Sequence, residues 1–381
     1  MSEWSENKKW NPFNSYKLLS QVYRWNLIKE GKELPQPATI SVDLCNKCNF
    51  HCSHCNAKEL LRNKSSMMSK ETLFKIAETL ASWKGSPEWN EVGVCSICIG
   101  GGGESLLNTH VGSFINKCVE LGIEVGIVTN GSMIDKFIPE LAKCSWVGVS
   151  IDAGTKETFK EQKGIDLFDR VITNIKSLVD YSKEHNTKLV NSGVSYKYLL
   201  NKFNIGGIYK AAKIAKSIGC KNLHIRPVGI PWEKEGNDFD KELCNFSRED
   251  IEEFEEQVRQ ARKLEDESFG VYGVTHKFTS GLRPKHNFKT CHAVFMNGVF
   301  MPGKDESCID FSLCCDRRYD DGLLLVENGQ PKDVVSVWGG KKHWDIFKKL
   351  KISECPKCTY QPHNSIFEEV IQKDKMTYKF I

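Results

Sequence analysis

The run Cys48-Asn49-Phe50-His51-Cys52-Ser53-His54-Cys55 constrains this chain more than any other stretch. It places three cysteines at the spacing C-x3-C-x2-C directly after residues 38–44, an apolar and β-branched segment that predicts a strand. Three thiolates on one short loop cannot complete a tetrahedral structural zinc site, but they can hold three irons of a [4Fe–4S] cube. The fourth iron of that cube would stay open for a substrate or cofactor.

Zinc is the alternative, because Cys45 extends the run to C-x2-C-x3-C-x2-C. Zinc ribbons and fingers separate their cysteine pairs by about a dozen residues or more, since a hairpin or a helix lies between the pairs. Three residues are too few for that arrangement. We therefore expect Cys48, Cys52 and Cys55 to be cluster ligands and Cys45 to be a residue at the strand end.

The composition of the chain is that of a globular protein that binds metals or clusters. With 381 residues, 40% apolar and 27% charged, the chain can bury a substantial core. The net charge of +4 is small and its charges are interspersed, which gives no electrostatic reason to expect nucleic acid. There is no long apolar run and no signal core near Met1, so we expect a cytoplasmic protein without a membrane span. Sixteen cysteines in such a chain indicate metal or cluster ligands and buried thiols rather than disulfides.

Strand and helix patterns alternate regularly through the first part of the chain. Predicted strands cover residues 39–44, 92–99, 123–128, 146–151, 188–195 and 222–227. Predicted helices cover residues 15–30, 69–83, 110–121, 133–143, 155–185 with an interruption near Gly164, 204–218, and 247–264. This order predicts a parallel βα sheet whose functional loops follow the carboxyl ends of its strands. The periodicity alone fits a barrel and a doubly wound sheet equally well.

Polar motifs follow three of these strands. Residues 99–104 read Ile-Gly-Gly-Gly-Gly-Glu, and glycines let the backbone approach a ligand closely. Thr129-Asn130-Gly131 ends the third strand. Ser150 and Asp152 end the fourth strand, where strand alternation places them on one face. Arg226 adds a cation near the end of the sixth strand, with a structural ion pair as its alternative role.

The cysteine loop, taken with these motifs, resembles the radical S-adenosylmethionine (SAM) superfamily. The resemblance implies a partial (β/α)6 barrel, a SAM-bound [4Fe–4S] cluster and SAM as cofactor. It also implies a role for each motif: amino-group contacts from Gly102, Gly103 and Glu104, a turn at Thr129 and Asn130 that shapes the site, ribose contacts from Ser150 and Asp152, and a SAM carboxylate or substrate contact from Arg226. The superfamily usually has an aromatic residue before the last cluster cysteine, whereas this chain has His54.

Cysteines of the C-terminal third form a second group. Cys291 and Cys308 enclose Gly303 in the pattern C-x11-G-x4-C, which resembles the opening of the SPASM auxiliary-cluster motif. No cysteine follows Cys358, so the resemblance implies the shorter twitch type with one auxiliary [4Fe–4S] cluster. The expected ligands are Cys291, Cys308, Cys355 and Cys358. Cys314 or Cys315 remains an alternative to Cys308, and a structural zinc ion remains an alternative to the cluster.

These patterns divide the chain into four predicted parts. They are an N-terminal helical extension (1–38), a radical SAM partial barrel (39–232), a connecting helix (233–268) and a smaller cysteine-rich twitch/SPASM-like domain (269–381). The six remaining cysteines are expected to be small buried apolar residues; they are Cys95, Cys98, Cys118, Cys144, Cys220 and Cys244.

The resemblance implies an enzyme that cleaves SAM reductively and takes hydrogen from a substrate carbon. We expect a two-electron oxidation of a small polar metabolite, such as a sugar or an aminocyclitol, assisted by the auxiliary cluster. Two alternatives remain: modification of a peptide or protein, and a non-enzymatic Fe–S electron carrier. A flavodoxin- or ferredoxin-type reductant is the expected protein partner. The sequence assigns no catalytic side chain and no oligomeric state.

Overall fold

A computed structural model describes residues 18, 20–29, 34–57, 61, 66–83, 93–228, 243, 246–273, 286, 288–318, 320–355 and 358–372. Its strands are β1 (Thr39–Val42), β2 (Ser96–Ile99), β3 (Glu124–Thr129), β4 (Trp146–Ser150), β5 (Val194–Leu200), β6 (Asn222–Pro227), β7 (Gly270–Gly273), β8 (Val299–Pro302), β9 (Ile309–Ser312) and β10 (Leu324–Gly329). They form a single sheet in the order β10-β9-β8-β1-β2-β3-β4-β5-β6-β7.

Helices connect these strands. They are α1 (Val22–Lys29), α2 (Lys70–Ser82), α3 (Val111–Glu120), α4 (Ile138–Leu141), α5 (Lys156–Lys163), α6 (Phe168–Glu184), α7 (Leu189–Ser192), α8 (Ile208–Ser217), α9 (Arg248–Arg262), α10 (Pro331–Val337), α11 (Lys341–Lys349) and α12 (Gln361–Ile366). Of the predicted helix 15–30, residues 18 and 20–29 lie among the described residues, and α1 covers Val22–Lys29 of them. None of the described helices has the length and apolar character needed to cross a membrane.

Strands β1 to β7 run parallel, each hydrogen-bonded to the next. Burial alternates along β1, where Ile40 and Val42 are buried while Thr39 is exposed and Ser41 is half-buried. The buried set packs against helices such as α2, whose Leu73 belongs to the same apolar core. The opposite face of the sheet therefore carries the more polar side chains.

The sheet curls into a partial barrel, so that charged side chains of β5 and β6 lie within electrostatic range of a thiol on β2. Burial raises the pKa of the Cys98 thiol on β2, and the charges of Lys197 on β5 and Arg226 on β6 lower it in part. The predicted partial barrel is thus confirmed. Strand β7 extends it by one parallel strand beyond the six that the sequence predicted.

The fifth strand differs from its prediction. Residues Leu189–Ser192 form a helical turn, Gly193 has φ = +84°, and β5 begins only at Val194. A left-handed backbone favours glycine, so Gly193 ends the helical turn and redirects the chain into the strand. The alternating apolar pattern of 188–195 did not carry that information.

The C-terminal strands join the same sheet. Strand β8 pairs in parallel with β1, with Ser41 opposite Val299, and β9 and β10 follow as an antiparallel meander. The main-chain N–H of Asp43 donates to the carbonyl of Phe300 at 2.9 Å. The segment after β7 is therefore hydrogen-bonded to the strand that precedes the cysteine loop. The predicted division of the chain into four parts stays a prediction.

Candidate functional site

The carboxyl end of α5 holds the cysteine loop in place. The main-chain N–H of His51 donates to the carbonyl of Lys163 and that of Ser53 to the carbonyl of Gln162, both at 3.1 Å. The helix ends at Gly164, with φ = +66°, and a Cβ there would lie 2.8 Å from the carbonyl oxygen of His51. Close approach and a left-handed backbone together require glycine at this position.

The three thiols of the loop lie within range of one another's charge. Cys48, Cys52 and Cys55 are all partly buried. Burial raises the pKa of Cys48 to about 11, with smaller contributions from Glu104 and from the thiols of Cys52 and Cys55. The loop therefore turns its three cysteines toward one place.

A [4Fe–4S] cube and a single zinc ion require different distances between their thiolate ligands. Among the described residues, no three His, Cys, Asp or Glu side chains are grouped as ligands of one ion. Thiolates on one tetrahedral zinc would lie about 3.8 Å apart, whereas thiolates on separate irons of a cube lie farther apart. A cubane cluster on these three cysteines stays a prediction.

Cys45 is held in a different way, although its thiol lies within electrostatic range of Cys48. It is buried, and its thiol donates hydrogen bonds to the carbonyls of Glu104 at 3.1 Å and Lys47 at 3.6 Å. Burial raises its pKa to about 12. A protonated donor at this position ties the cysteine loop to the glycine-rich loop after β2.

Glu104 is a buried carboxylate held by neutral donors. Its Oε1 accepts hydrogen bonds from the hydroxyl of Thr129 at 2.7 Å and the N–H of Leu106 at 3.0 Å, and its Oε2 accepts one from the N–H of Asn130 at 2.6 Å. Burial raises its pKa, and these three donors lower it in part. The carboxylate keeps capacity for a further donor on Oε2. A cation at that oxygen would offset its burial.

The glycines before Glu104 contact the protein itself. A Cβ on Gly103 would meet the main chain of Lys47 and Cys45, and the N–H of Gly102 donates to Asp43 at 3.2 Å. The sequence interpretation assigned this close approach to a ligand. In the structure the glycine loop packs against the cysteine loop instead, so that Glu104 comes to lie beside Cys48.

The turn after β3 supports both loops. Besides the contacts to Glu104, the side-chain amide of Asn130 donates to Asn49 at 2.8 Å, and the amide of Asn49 donates to Ser132 at 2.9 Å. Asn49 lies within the cysteine loop. Thr129 and Asn130 therefore position the loop and the buried carboxylate, as their predicted shaping role requires.

Asp152 is a buried carboxylate with protein partners. It lies beyond the end of β4 with φ = +58°, is fully buried, and has Oδ2 3.0 Å from Nε2 of His54 and paired with Nζ of Lys163. Its Oδ1 accepts a 2.6 Å hydrogen bond from the N–H of Leu199. Its carboxylate is thus bound by donors of the protein itself, and the ribose contact of Asp152 stays a prediction.

This buried group reveals a residue that sequence reasoning missed. Burial would raise the pKa of Asp152, but Lys163 and His54 outweigh it and hold the pKa below its ordinary range. Burial would lower the pKa of Lys163, but Asp152 and the thiols of Cys52 and Cys48 raise it. Lys163 thus places a buried ammonium group beside the cluster loop. In sequence it looks like an ordinary charged residue at a helix end.

Ser150 and Arg226 stand on the inner face of the barrel. Ser150 is half-buried at the end of β4, in register with Lys197 of β5. Arg226 is exposed near the end of β6 and belongs to the charges that surround Cys98. Both therefore remain candidates for ligand contacts.

Four cysteines of the C-terminal segment lie within range of one another's charge. Burial raises the pKa of Cys358, with smaller contributions from Cys291 and Cys355. Burial also raises that of Cys314, with Cys291 among its charged neighbours. Two donors reach their sulfur atoms at 3.6 Å: Nδ2 of Asn364 contacts Cys291 and Nη1 of Arg317 contacts Cys355. Such hydrogen bonds are typical around cluster thiolates.

Cys308 lies in a different place from these four cysteines, and its role as a ligand stays a prediction. It sits in the turn between β8 and β9, where its main chain bonds Gly303 and its thiol contacts Ser307. Cys314 follows β9 at the opposite end of the hairpin. A strand rises about 3.3 Å per residue, so the two cysteines lie too far apart to serve one cube.

Cys315 also points away from the four. Its thiol contacts the hydroxyl of Tyr360. It packs against a small apolar cluster of Val299, Met301 and Leu324. Adjacent residues in extended chain face opposite sides. Cys314, which was an alternative in the sequence, is therefore the cysteine of this pair that faces Cys291.

Comparison with known proteins places these loops in context. Residues 42–194 match the model of the radical SAM superfamily. A probable GTP 3',8-cyclase from Saccharolobus islandicus (strain M.14.25 / Kamchatka #1) is 27% identical over 197 residues, which is 50% of this chain and 58% of that protein. A probable GTP 3',8-cyclase from Saccharolobus solfataricus is 26% identical over 322 residues, covering 82% of this chain and 90% of its own length.

Solved structures share the fold at low identity. Streptococcus suis SuiB bound to S-adenosylmethionine superposes with a TM-score of 0.62 and 16% identity, over 91% of this chain and 76% of that chain. Native anSMEcpe with bound AdoMet gives a TM-score of 0.56 and 18% identity, over 86% of this chain and 88% of that chain. At such identities the likeness concerns the fold.

Proposed function

Because this chain contains a radical SAM domain, we propose that it is an enzyme that cleaves SAM reductively and oxidises a small polar metabolite. The observation that carries the proposal is the convergence of three thiols, a buried carboxylate and a buried ammonium group at the carboxyl end of the barrel. When bound, a [4Fe–4S] cluster and SAM supply a 5′-deoxyadenosyl radical, and an auxiliary cluster supplies an electron acceptor.

Cys48, Cys52 and Cys55 would hold the cluster. Their loop is fixed by main-chain hydrogen bonds to α5 and by the amide contacts of Asn49. A loop fixed in this way presents its thiols without a large loss of chain entropy on cluster binding. Three protein ligands leave one iron available to SAM, which is the condition for the proposed chemistry.

Glu104 and Lys163 would bind the two charged ends of the methionine part of SAM. Glu104 has an acceptor site left on Oε2 and only neutral donors in contact, so it fits an ammonium group. Lys163 carries three donors and pairs with Asp152 beside the cysteine loop, so it can also bind a carboxylate. The residues present thus fit the cofactor that the domain implies.

The auxiliary cluster would be held by Cys291, Cys314, Cys355 and Cys358. We expect Cys314→Ser to lower the bound iron by up to about four atoms per chain, since no cofactor replaces the lost thiolate at this site, whereas SAM would complete the three-cysteine cluster. Iron determination after anaerobic reconstitution measures this. Cys308→Ser is the matched control and should keep the wild-type iron content. A loss of iron in Cys308→Ser with retention in Cys314→Ser would contradict the ligand set.

The proposed substrate class rests on the relatives and on the barrel interior. The sequence relatives are named for an activity on GTP, a small and charged molecule. In this chain the inner face carries Ser150, Lys197 and Arg226, which suit a polar substrate. A flavodoxin or ferredoxin would supply the electron for SAM cleavage.

Peptide modification is the second candidate. Its support is that the SuiB fold has been seen with the precursor peptide SuiA and the anSMEcpe fold with the Cp18Cys peptide. A peptide-modifying enzyme should accelerate SAM cleavage when its cognate peptide is added. A metabolite oxidase should respond to small polar molecules instead.

The test is an anaerobic assay of the reconstituted protein with SAM and a strong chemical reductant. We expect 5′-deoxyadenosine and methionine as products, at a slow rate without substrate. Material that shows a [4Fe–4S] signal by spectroscopy but forms no 5′-deoxyadenosine would overturn both enzyme proposals. It would leave electron transfer as the function.

A further inference from the structure

Three basic side chains lie together on the inner face of strands β5 and β6. They are Lys197, His224 and Arg226, and we call them the basic triplet. Lys197 stands opposite His224 in the register of the two strands, and its Nζ lies 3.5 Å from Nδ1 of His224. Arg226 follows one inward position later and is exposed toward the mouth of the barrel. The triplet therefore lies toward the carboxyl end of the sheet, where ligands bind in parallel βα folds.

The acids near the triplet are committed to other cations. The charge of Asp152 raises the pKa of Lys197 slightly, but Asp152 forms its ion pairs with Lys163 and His54. The charge of Asp43 raises the pKa of the neighbouring Cys98, but Asp43 forms its ion pair with Nε of Arg318 at 2.7 Å. Among the described residues, these two acids therefore do not neutralise Lys197 and Arg226, whose positive charges repel each other.

The electrostatics of Lys197 agree with this arrangement. Burial and, to a smaller extent, the charge of Arg226 together lower its pKa to about 8. Its ammonium group also lies 5.5 Å from the ring centroid of Trp146, on the same inner face. A bound anion would offset both the burial and the repulsion.

The triplet is also close to the site of the proposed chemistry. Lys197 is in register with Ser150, and the main-chain N–H of the nearby Leu199 donates to Asp152, which contacts Lys163 beside the cysteine loop. A molecule bound at the triplet would lie in the same interior as the proposed radical. This position suits a substrate group better than a remote effector.

We propose that Lys197, His224 and Arg226 bind an anionic group, a carboxylate or a phosphate, of the substrate. This inference rests on the proposed function for its biological meaning, because the anion is assigned to the molecule that the enzyme oxidises. Two adjacent strands hold the three donors, so the site is preformed on rigid elements. It would select anionic metabolites over neutral sugars of the same size.

The test measures anion binding by the reconstituted protein at constant ionic strength. Equilibrium dialysis with labelled inorganic phosphate and, separately, labelled citrate distinguishes the two kinds of anion. We expect saturable binding of at least one of them, weakened about tenfold or more in Lys197→Met and in Arg226→Gln. Lys197→Arg, which keeps the charge, should bind better than Lys197→Met. Lys210→Met, an exposed lysine on α8, is the control and should bind as the wild type does.

Either of two results would overturn the site: the absence of saturable binding of both anions by the wild type, or equal binding by wild type, Lys197→Met and Arg226→Gln. Circular dichroism of each variant verifies its fold, and the exposed Arg226 gives a variant that leaves the core intact. Formation of 5′-deoxyadenosine by the wild type without anion is measured in parallel. Its absence would count against the proposed function, whereas loss of anion binding alone would count against the basic triplet.

Discussion

Alanine in place of Cys52 is expected to abolish formation of 5′-deoxyadenosine and to lower bound iron from about eight to about four atoms per chain. The physical reason is that two remaining thiolates cannot hold a cube that must keep one iron open. The same loss is expected for Cys48→Ala and Cys55→Ala. Iron determination and product analysis by chromatography, both under anaerobic conditions, measure the effect.

The control is Cys95→Ala, an exposed cysteine just before β2 that is remote from the three-thiol loop in sequence. It should keep both iron and product at wild-type values. Eight irons surviving in a variant that lacks Cys48, Cys52 and Cys55 together would show that the loop binds no cluster. A stoichiometric zinc ion on that loop would have the same meaning.

Asparagine in place of Asp152 is expected to lower the free energy of unfolding by about 3–5 kcal/mol. It removes the charge that compensates a fully buried ammonium group at Lys163. Urea unfolding of the metal-free, reduced protein measures the loss. The exposed Asp166→Asn should change the free energy of unfolding by less than about 0.5 kcal/mol.

A second variant separates the ion pair from packing. The double variant Asp152→Asn, Lys163→Met should lose less free energy of unfolding than the two single variants lose together. The reason is that the second change removes a buried charge that the first change left without a partner. The effect also depends on pH. Since the folded-state pKa of Asp152 is lowered, its contribution is present above the ordinary pKa of a carboxyl group and is lost as pH falls toward the folded-state value. Additive losses from the two changes would indicate that Asp152 and Lys163 do not stabilise each other.

Local patterns predicted much of the site. The cysteine loop follows β1 and Glu104 follows β2, as expected, because a strand with a motif at its end is a contiguous feature of the sequence. The predicted resemblance to the radical SAM superfamily is confirmed by the match over residues 42–194. The predicted cofactor contacts, in contrast, stay predictions until ligands are bound.

Local patterns did not predict the features that depend on distant contacts. The choice between Cys308 and Cys314 follows from the register of β8 and β9, in which Val299 faces Ser312, and no local pattern reports a register. The role of Asp152 turned on one left-handed residue after β4, which moved its carboxylate from the strand face into the protein. Lys163 was missed because its role depends on the packing of α5 against the cysteine loop and Asp152, which no local sequence pattern reports.

The parallel pairing of β1 with β8 has a consequence for biosynthesis. As the ribosome releases the chain, the strand that carries the cysteine loop has its β2 partner early but waits for β8 until most of the polypeptide has emerged. Until then β1 is an open edge with unpaired main-chain groups, a known template for misassociation. Such a nascent chain would benefit from a chaperone that covers this edge, and from delivery of iron and sulfide only after translation has ended.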